Sequence, residues 1–447
     1  MSRIRIIITI IVVVLTTLLT GCTGKEPNEI AYVVALGIDS TDDDNYKITI
    51  QYANTTQISG GASESGGKAG SEIVDNVTIE APNIYAGVGL ANNIVSKSFS
   101  MSHAKLIVFS KEMAEKGVKD MIETLVRSEE IRPDVFIAVA NTTANDYLTS
   151  VNPEMEVNPA QYYQLIYQKN QLVGIPDGQL REFFTGLYTD NYDSILPVSG
   201  VIEGAGGNSQ NDDKGQSKDS QNEGSEGSSE SLDSFESKNS DENEKEKDAE
   251  KNTSKYEYDI KNYVGGETAI EKKNKAEAIG AAVFEKDKMV GELGEVETEI
   301  CKMLKGDYTY SYLTYYNNET PDIPITVKTT QQKKPKYKID TDKKTVDIEL
   351  YIESDLYSLP ADYNVENKIE DFERDVANYT SSTCTEFINN FTKKYNSDIL
   401  KLNEKVKYKF LTNNQYNWFK KNVGWSEYKF SVCTDFKVRR TGLIVRE

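Results

Sequence analysis

Apolar and polar residues alternate most regularly toward the end of the chain. Val346, Ile348, Leu350 and Ile352 interleave with Asp347, Glu349, Tyr351 and Glu353; Tyr428, Phe430, Val432, Phe436 and Val438 interleave with Lys429, Ser431, Cys433, Asp435, Lys437 and Arg439. A period of two predicts two strands, each with one buried and one wet face. Between them Val365, Ile369, Phe372, Val376, Tyr379, Phe387, Phe391 and Tyr395 step by three, four or their multiples, which predicts a covering helix over 364–395. At about 45 Å it exceeds the usual globular helix, so part of it is expected to project or lie across a partner. Ser and Thr between 380 and 385 weaken any coiled-coil heptad. Val406 to Phe410 alternates again and predicts an extra strand.

The first half mixes both periods. Ile30 to Ile38 and Tyr46 to Ala53 predict a hairpin around the Asp-rich turn Ser40 to Asn45. A helix is expected from Pro82 to Val95, then a strand from Ala104 to Phe109. Val118, Met121, Ile122, Leu125 and Val126 fall at i, i+3, i+4, i+7 and i+8, which predicts one amphipathic helix over Lys111 to Ser128. Val135 to Ala140 predicts a strand, and Tyr162 to Tyr167 and Leu180 to Tyr188 two helices. Ile195-Leu196-Pro197 closes this region. Farther on, Ala276 to Phe284 and Met289 to Leu293 predict a short hairpin. A helix follows over Glu295 to Leu304, its glutamates at the positive end of the dipole and its stop before Gly306. The Tyr-rich stretch Tyr308 to Tyr316 carries no clear period.

Between Gly204 and Lys255 these patterns vanish. Fourteen acidic residues face seven lysines there, and Leu232 and Phe235 are the only large apolar residues, so the stretch cannot build a core and is expected to be a disordered linker or inserted loop. The expected organisation is a leader at 1–21, an N-terminal mixed α/β domain at 22–203, an acidic linker at 204–262, a small middle α/β domain at 263–322 and a C-terminal α/β domain with the long helix at 323–447. The fold class is α+β, three domains of mixed, largely antiparallel sheets with packed helices.

The N-terminus changes the picture. Arg3 and Arg5 precede an apolar run from Ile6 to Leu19 that stops at Leu19-Thr20-Gly21-Cys22. Such a run spans about 21 Å as a helix, short of the ~30 Å of a bilayer core, and suits a cleaved signal peptide. A cysteine after small residues resembles a bacterial lipobox, with Cys22 as the residue that takes a diacylglyceryl group and an N-acyl chain. Each buried methylene adds about 0.8 kcal/mol of membrane affinity. Loss of Arg3 and Arg5 takes the net charge from −20 to −22. That surface repels polyphosphates and anionic membranes over most of its area, which argues against nucleic acid as a partner and leaves the lipid as the attachment device.

Candidate chemistry is sparse. Cys301, Cys384 and Cys433 form no CxxC pair, so neither a zinc site nor a disulfide framework is indicated and free thiols are expected. Gly66-Gly67-Lys68 is followed by Ala69 where a phosphate loop needs Ser or Thr, and 59–70 is expected to be a surface loop. A calcium loop starting at Asp39 fails because Asp44 and Ile50 stand where Gly and a carboxylate are required. The one histidine, His103, is expected at a cap or sheet edge; with no G-x-S-x-G and no second imidazole, no catalytic residue, cofactor or metal ligand is assigned and no enzyme is expected.

Several segments then point to a family. Gly37-Ile38-Asp39, Ser102-His103-Ala104-Lys105-Leu106-Ile107-Val108-Phe109, Ile131-Arg132-Pro133-Asp134, Leu196-Pro197, Gly280-Ala281-Ala282-Val283-Phe284 with Lys288-Met289-Val290-Gly291-Glu292-Leu293, and Arg439-Arg440-Thr441-Gly442, in that order, resemble the Ger(x)C family, the lipoprotein C subunits of bacterial spore germinant receptors. The resemblance implies three mixed α/β domains, no catalytic role, and a lipid anchor at Cys22 on the outer face of the spore's inner membrane. It also implies partnership with A-type and B-type integral-membrane receptor subunits in sensing nutrients. The acidic insert and the stretch 396–425 depart from the family pattern, which expects a further helix and a Gly-containing turn where Val406 to Phe410 reads as a strand. The alternative is a solute-binding or cell-wall-acting surface lipoprotein.

Overall fold

The computed structural model describes residues 3–9, 29–43, 45–53, 74–153, 156, 158–168, 174–189, 191–202, 262–268, 274–316, 324–358 and 368–441. Cys22, the 59–70 loop, Val365 and nearly all of the 204–262 stretch lie outside them.

Two mixed sheets organise the chain, as the α+β expectation has it. The first contains β1 (Ile30–Ser40), β2 (Tyr46–Ala53), β3 (Val74–Ala81), β4 (Ser98–Ser100), β5 (Leu106–Ser110), β6 (Phe136–Ala140), β7 (Ile195–Val201), β8 (Ala276–Glu285) and β9 (Lys288–Leu293). Its order is β3-β2-β1-β5-β6-β7-β8-β9, with β4 beside β1. The hairpins β1–β2 and β8–β9 pair as their patterns predict. Between them, β1, β5, β6 and β7 run parallel. Parallel strands covered on both faces read as unbroken apolar runs, and LIVFS and FIAVA are buried at every position.

Helices cover both faces. On one side α1 (Ile84–Ala91), α2 (Lys111–Lys116), α3 (Lys119–Val126) and α6 (Leu180–Thr189) pack Ile84, Met113, Ile122 and Phe183 onto Leu36, Ile38, Ile107 and Phe109. On the other, α4 (Ala144–Ser150) and α5 (Pro159–Gln168) bury Tyr147, Leu148, Tyr163 and Tyr167 against Val34, Leu106 and Val108. A hydroxyl chain runs through that second layer: Tyr147 to Tyr167 at 2.9 Å, Tyr167 to Ser199 at 2.6 Å, and Tyr163 donating to Gln51 at 2.5 Å. Each of these four hydroxyls, on Tyr147, Tyr163, Tyr167 and Ser199, therefore has a partner, which offsets the desolvation cost of placing it there. The single helix expected over 111–128 is two. Gly117 takes a φ of 122°, a conformation open to glycine and closed to a helical residue, so α2 stops and α3 starts afresh at Lys119.

The second sheet holds β10 (Tyr310–Tyr316), β11 (Pro324–Thr330), β12 (Lys336–Asp340), β13 (Thr345–Ser358) and β14 (Lys429–Arg440). β11 and β12 both pair with β13, while β14 runs parallel to it. A parallel return needs a long crossover, supplied by α8 (Ile369–Tyr395). Phe372, Val376, Cys384, Ile388 and Phe391 are buried along its length, so the helix lies on its own sheet instead of projecting.

The polar residues that spoiled the heptad have a local task. The Val432 N–H donates to Thr385 Oγ1 at 3.0 Å, Thr434 N–H to Ser381 Oγ at 2.9 Å, Phe430 N–H to Asn389 Oδ1 at 3.1 Å and Val438 N–H to Glu373 Oε1 at 2.8 Å. An edge strand exposes such a row of donors to other chains. Here α8 seals it.

The segment 263–322 is shared between the sheets. β8 and β9 extend the first, β10 belongs to the second, and α7 (Glu295–Lys305) lies in a core where Ile195, Val283 and Leu293 of the first sheet meet Val346 and Ile348 of the second and Phe387 of α8. The described residues of 1–205 and 260–447 form one compact unit. The strand expected at Val406 to Phe410 is replaced by α9 (Leu402–Val406) and a 3-10 turn at Lys407–Lys409, followed by α10 (Asn413–Asn422). Asp398 decides the outcome: its carboxylate accepts the N–H groups of Leu402 at 2.7 Å and Asn403 at 2.8 Å, which satisfies the first turn of α9.

Candidate functional site

The residue with a definite expected role, Cys22, lies outside the described residues. Arg3 to Thr9 ahead of it are helical and exposed. Among the described residues no helix is long and apolar enough to cross a membrane, and no group of His, Cys, Asp or Glu is placed to hold a metal ion.

His103 closes the 3-10 turn Met101–His103 just before β5. Its ring meets Tyr32 edge-on at 4.7 Å, and Nδ1 lies 3.0 Å from Ser102 Oγ. It is an exposed sheet-end residue, as expected. The three described cysteines are free thiols. Cys301 on α7 and Cys384 on α8 are buried, and burial pushes both thiols up to about 12, whereas Cys433 is exposed on β14.

A concavity opens where α6 and the start of β7 meet the 396–425 segment. This cleft of about 570 Å³ is lined by Tyr192, Asp193, Asp398, Lys420 and Trp425 among others. Two of its lining residues, Asp193 and Asp398, hold each other reciprocally. Asp193 N–H donates to the Asp398 carbonyl at 3.2 Å, and Asp398 N–H donates to Asp193 Oδ2 at 2.8 Å. Lys401 pairs with Glu182 at 2.5 Å, and Lys420 donates to Thr189 O at 3.0 Å and Asn191 Oδ1 at 3.1 Å. Every one of these bonds joins the first sheet's layer to the C-terminal segment. Burial pushes the Asp398 carboxyl up to about 7, against the lowering effect of the Asn403 and Leu402 N–H groups; nearby Asp193 raises it further.

A second buried ionisable group sits under α7. Lys302 donates to the Ile175 carbonyl at 3.0 Å and burial brings its ammonium down to about 8, while burial raises Glu299, bonded to Ser311 at 2.5 Å, to about 7. These groups sit where the two sheets join and act as fasteners. The cleft is rich in amides, ammonium groups and carboxylates that can hydrogen-bond a polar molecule. The chain's one imidazole, on His103, is not among its lining residues.

The sequence reading passed over Asp193, Asp398 and Glu182. Their partners lie about 200 residues away, at separations of 205 and 219, so no local spacing marks them. The one available signal was an aspartate four residues ahead of a possible helix start, a capping arrangement.

Known proteins similar to this chain share one description. The family model for the spore germination protein N-terminal domain matches residues 24–201, and that for the spore germination B3/GerAC-like C-terminal domain matches 279–442. Spore germination protein KC of Bacillus subtilis is 26% identical over 176 residues, 36% of this chain and 43% of that protein. The putative spore germination protein YfkR of the same organism is 29% identical over 145 residues, 32% of this chain and 37% of that protein. The aligned stretches thus span about two-fifths of the length of these relatives. A crystal structure of the GerBC protein aligns over 90% of this chain and 96% of its own, at 15% identity and a TM-score of 0.49.

Proposed function

Because the chain belongs to the GerAC-like family of spore germination proteins, we propose that it is the lipid-anchored C-type subunit of a nutrient germinant receptor. In this reading Cys22 is the acylated residue, the leader 1–21 is removed, and the protein sits on the outer face of the spore's inner membrane. It works there with A-type and B-type integral-membrane subunits and has no catalytic step of its own. The observation that carries the reading is the order of the two family matches, 24–201 and 279–442, directly after a lipobox-like Leu19-Thr20-Gly21-Cys22.

The test is mass spectrometry of the protein recovered from spore membranes, together with a Cys22→Ala strain. The expected result is an N-terminal Cys22 carrying acyl chains in the wild type, and release of the variant from the membrane with slowed nutrient germination. Polytopic subunits should co-purify with the wild type. An unmodified thiol, or a variant that stays at the membrane and germinates normally, contradicts the reading.

A second reading, solute binding, has the 570 Å³ polar cleft in its favour. Calorimetry with nutrient amino acids and sugars separates the two, since tight binding by the isolated chain supports a solute-binding protein.

A further inference from the structure

The acidic balance of the chain conceals one region of opposite sign. Residues 333–344 and 401–421 hold twelve lysines against Asp340, Asp342 and Glu404, in a chain of net charge −20. The fold brings the two segments together. Lys409 Nζ donates to the carbonyl of Ile339 on β12, Lys405 Nζ lies 4.5 Å from the ring centroid of Tyr337, and the Lys429 N–H at the start of β14 donates to Lys344 O at 2.9 Å. Three of the lysines are already paired, Lys401 with Glu182, Lys336 with Glu349 and Lys344 with Glu427. The other nine have no ion pair among the described residues, and Lys334, Lys338, Lys343, Lys407 and Lys421 are exposed.

The same region carries large apolar side chains that nothing covers. Leu411 is 95% exposed, Tyr408 80% and Trp418 64%. They occupy the 3-10 turn, the loop after it and the outer side of α10, whose inner side buries Tyr416 and Phe419. A surface meant only for water has no use for three such residues within eleven positions. A protein interface would carry the aromatic residues but is depleted in lysine. Tyrosine and tryptophan interleaved with lysine fit the boundary between headgroups and acyl chains, where an aromatic ring has an apolar body and a polar tip, and where ammonium groups meet anionic phosphates.

We propose that the face formed by 333–344 and 401–421 rests on an anionic phospholipid surface, with Tyr408, Leu411 and Trp418 set among the headgroups. The remaining negative charge of the chain does not prevent this, because repulsion beyond roughly 10 Å is screened at physiological salt while contacts within the face are not. Each lysine near an anionic leaflet contributes about 1 kcal/mol, so a few of the exposed lysines Lys334, Lys338, Lys343, Lys407 and Lys421 suffice for reversible docking. The contact is independent of Cys22: it orients the folded body against the bilayer, whatever holds the N-terminus.

The chain from Lys25 onward tests it, since every core residue of both sheets begins at Ala31 or later and this form has no site for acylation. Vesicles of phosphatidylcholine alone are compared with vesicles containing about one-third phosphatidylglycerol. The expected result is co-sedimentation with the anionic vesicles only, lost as NaCl is raised toward about 1 M. The two tryptophans supply an internal probe: Trp425 is 4% exposed and already buried, so a blue shift on binding must come from Trp418.

Lys407→Glu with Lys421→Glu, and separately Leu411→Ser with Trp418→Ser, should each weaken vesicle binding about tenfold or more with unchanged circular dichroism, because all four side chains are exposed. Absence of binding, equal binding to neutral vesicles, or variants that bind as the parent does would overturn the proposal. None of these outcomes bears on acylation of Cys22, which the mass of the native protein decides separately.

Discussion

The carboxylate of Asp39, near the end of β1, receives the main-chain N–H of Ala144, the first residue of α4, at 2.6 Å. Its other oxygen receives the N–H of Asn145 at 3.2 Å. A helix start ordinarily finds its acceptor in the residue just before it; Thr143 serves Asp146 in that way here, and the two remaining donors are satisfied from a strand 105 residues earlier. Gly37 belongs to the same arrangement, since a Cβ there would stand 3.0 Å from Leu148 Cδ1. The Gly37-Ile38-Asp39 motif is thus a docking device for α4 on the sheet.

Replacing Asp39 with Ala leaves two donors at a buried helix start without acceptors. The expected loss is about 2 kcal/mol, read as a lower urea midpoint with an unchanged slope. Asp39→Asn keeps one acceptor oxygen and should lose about half as much.

Asp398 makes stability depend on pH. Its folded value of about 7 lies above the roughly 3.9 of an unfolded aspartate, so the folded state holds the proton more tightly. The resulting stability is fully present below about pH 4 and is lost as pH rises through about 7. Glu299, also raised to about 7, adds the same sign. Thermal midpoints at pH 5 and pH 8 should therefore differ more in the wild type than in Asp398→Asn, and equal differences in the two proteins refute the assignment.

The sealed edge of β14 predicts an aggregation phenotype. Thr385→Val removes the acceptor for Val432 N–H and Asn389→Ala the one for Phe430 N–H; each should cost about 1 kcal/mol. Together with Ser381→Ala they expose a run of strand donors, and light scattering at a temperature where the wild type stays clear should rise for the triple variant.

Thiol labelling tests the cores. Cys301 and Cys384 are buried and their thiols pushed to about 12, while Cys433 is exposed. In the chain from Lys25 onward one thiol should react promptly in the native state and three after unfolding. Rapid native reaction at a second position would show that the core Cys301 and Cys384 share opens.

Legibility in the sequence followed the kind of burial. β13 and β14 expose one face, so their apolar residues alternate, and β8 and β9 meet at the polar turn Lys286–Asp287; each was placed within a few positions. β3 was missed although Asn76, Thr78 and Glu80 alternate with Val77, Ile79 and Ala81 in it, because half of its residues are polar and its apolar positions Val77 and Ile79 are only part-buried. β5 and β6 were placed, but their parallel neighbours could not be, since a segment buried on both faces carries no record of which strand lies beside it. Val406 to Phe410 misled for a different reason. Five alternating residues suit a strand, yet a buried acceptor at Asp398 and buried positions for Leu402 and Val406 turn the segment into a helical turn. The cleft was invisible altogether: its residues come from three stretches, 186–194, 285–286 and 396–425, too far apart for any local spacing to join them.

Val201, the last residue of β7, stands directly opposite Ala276, the first of β8. Whatever lies between them is tied at both ends to neighbouring positions of one sheet. Closing a longer loop costs only about 0.6 kcal/mol per doubling of its length, so evolution was free to lengthen this connection without disturbing either core. The same freedom makes 206–259 a natural port: excised, or exchanged for a fluorescent reporter whose termini lie close together, it offers a way to watch the protein in place without touching the surfaces it uses.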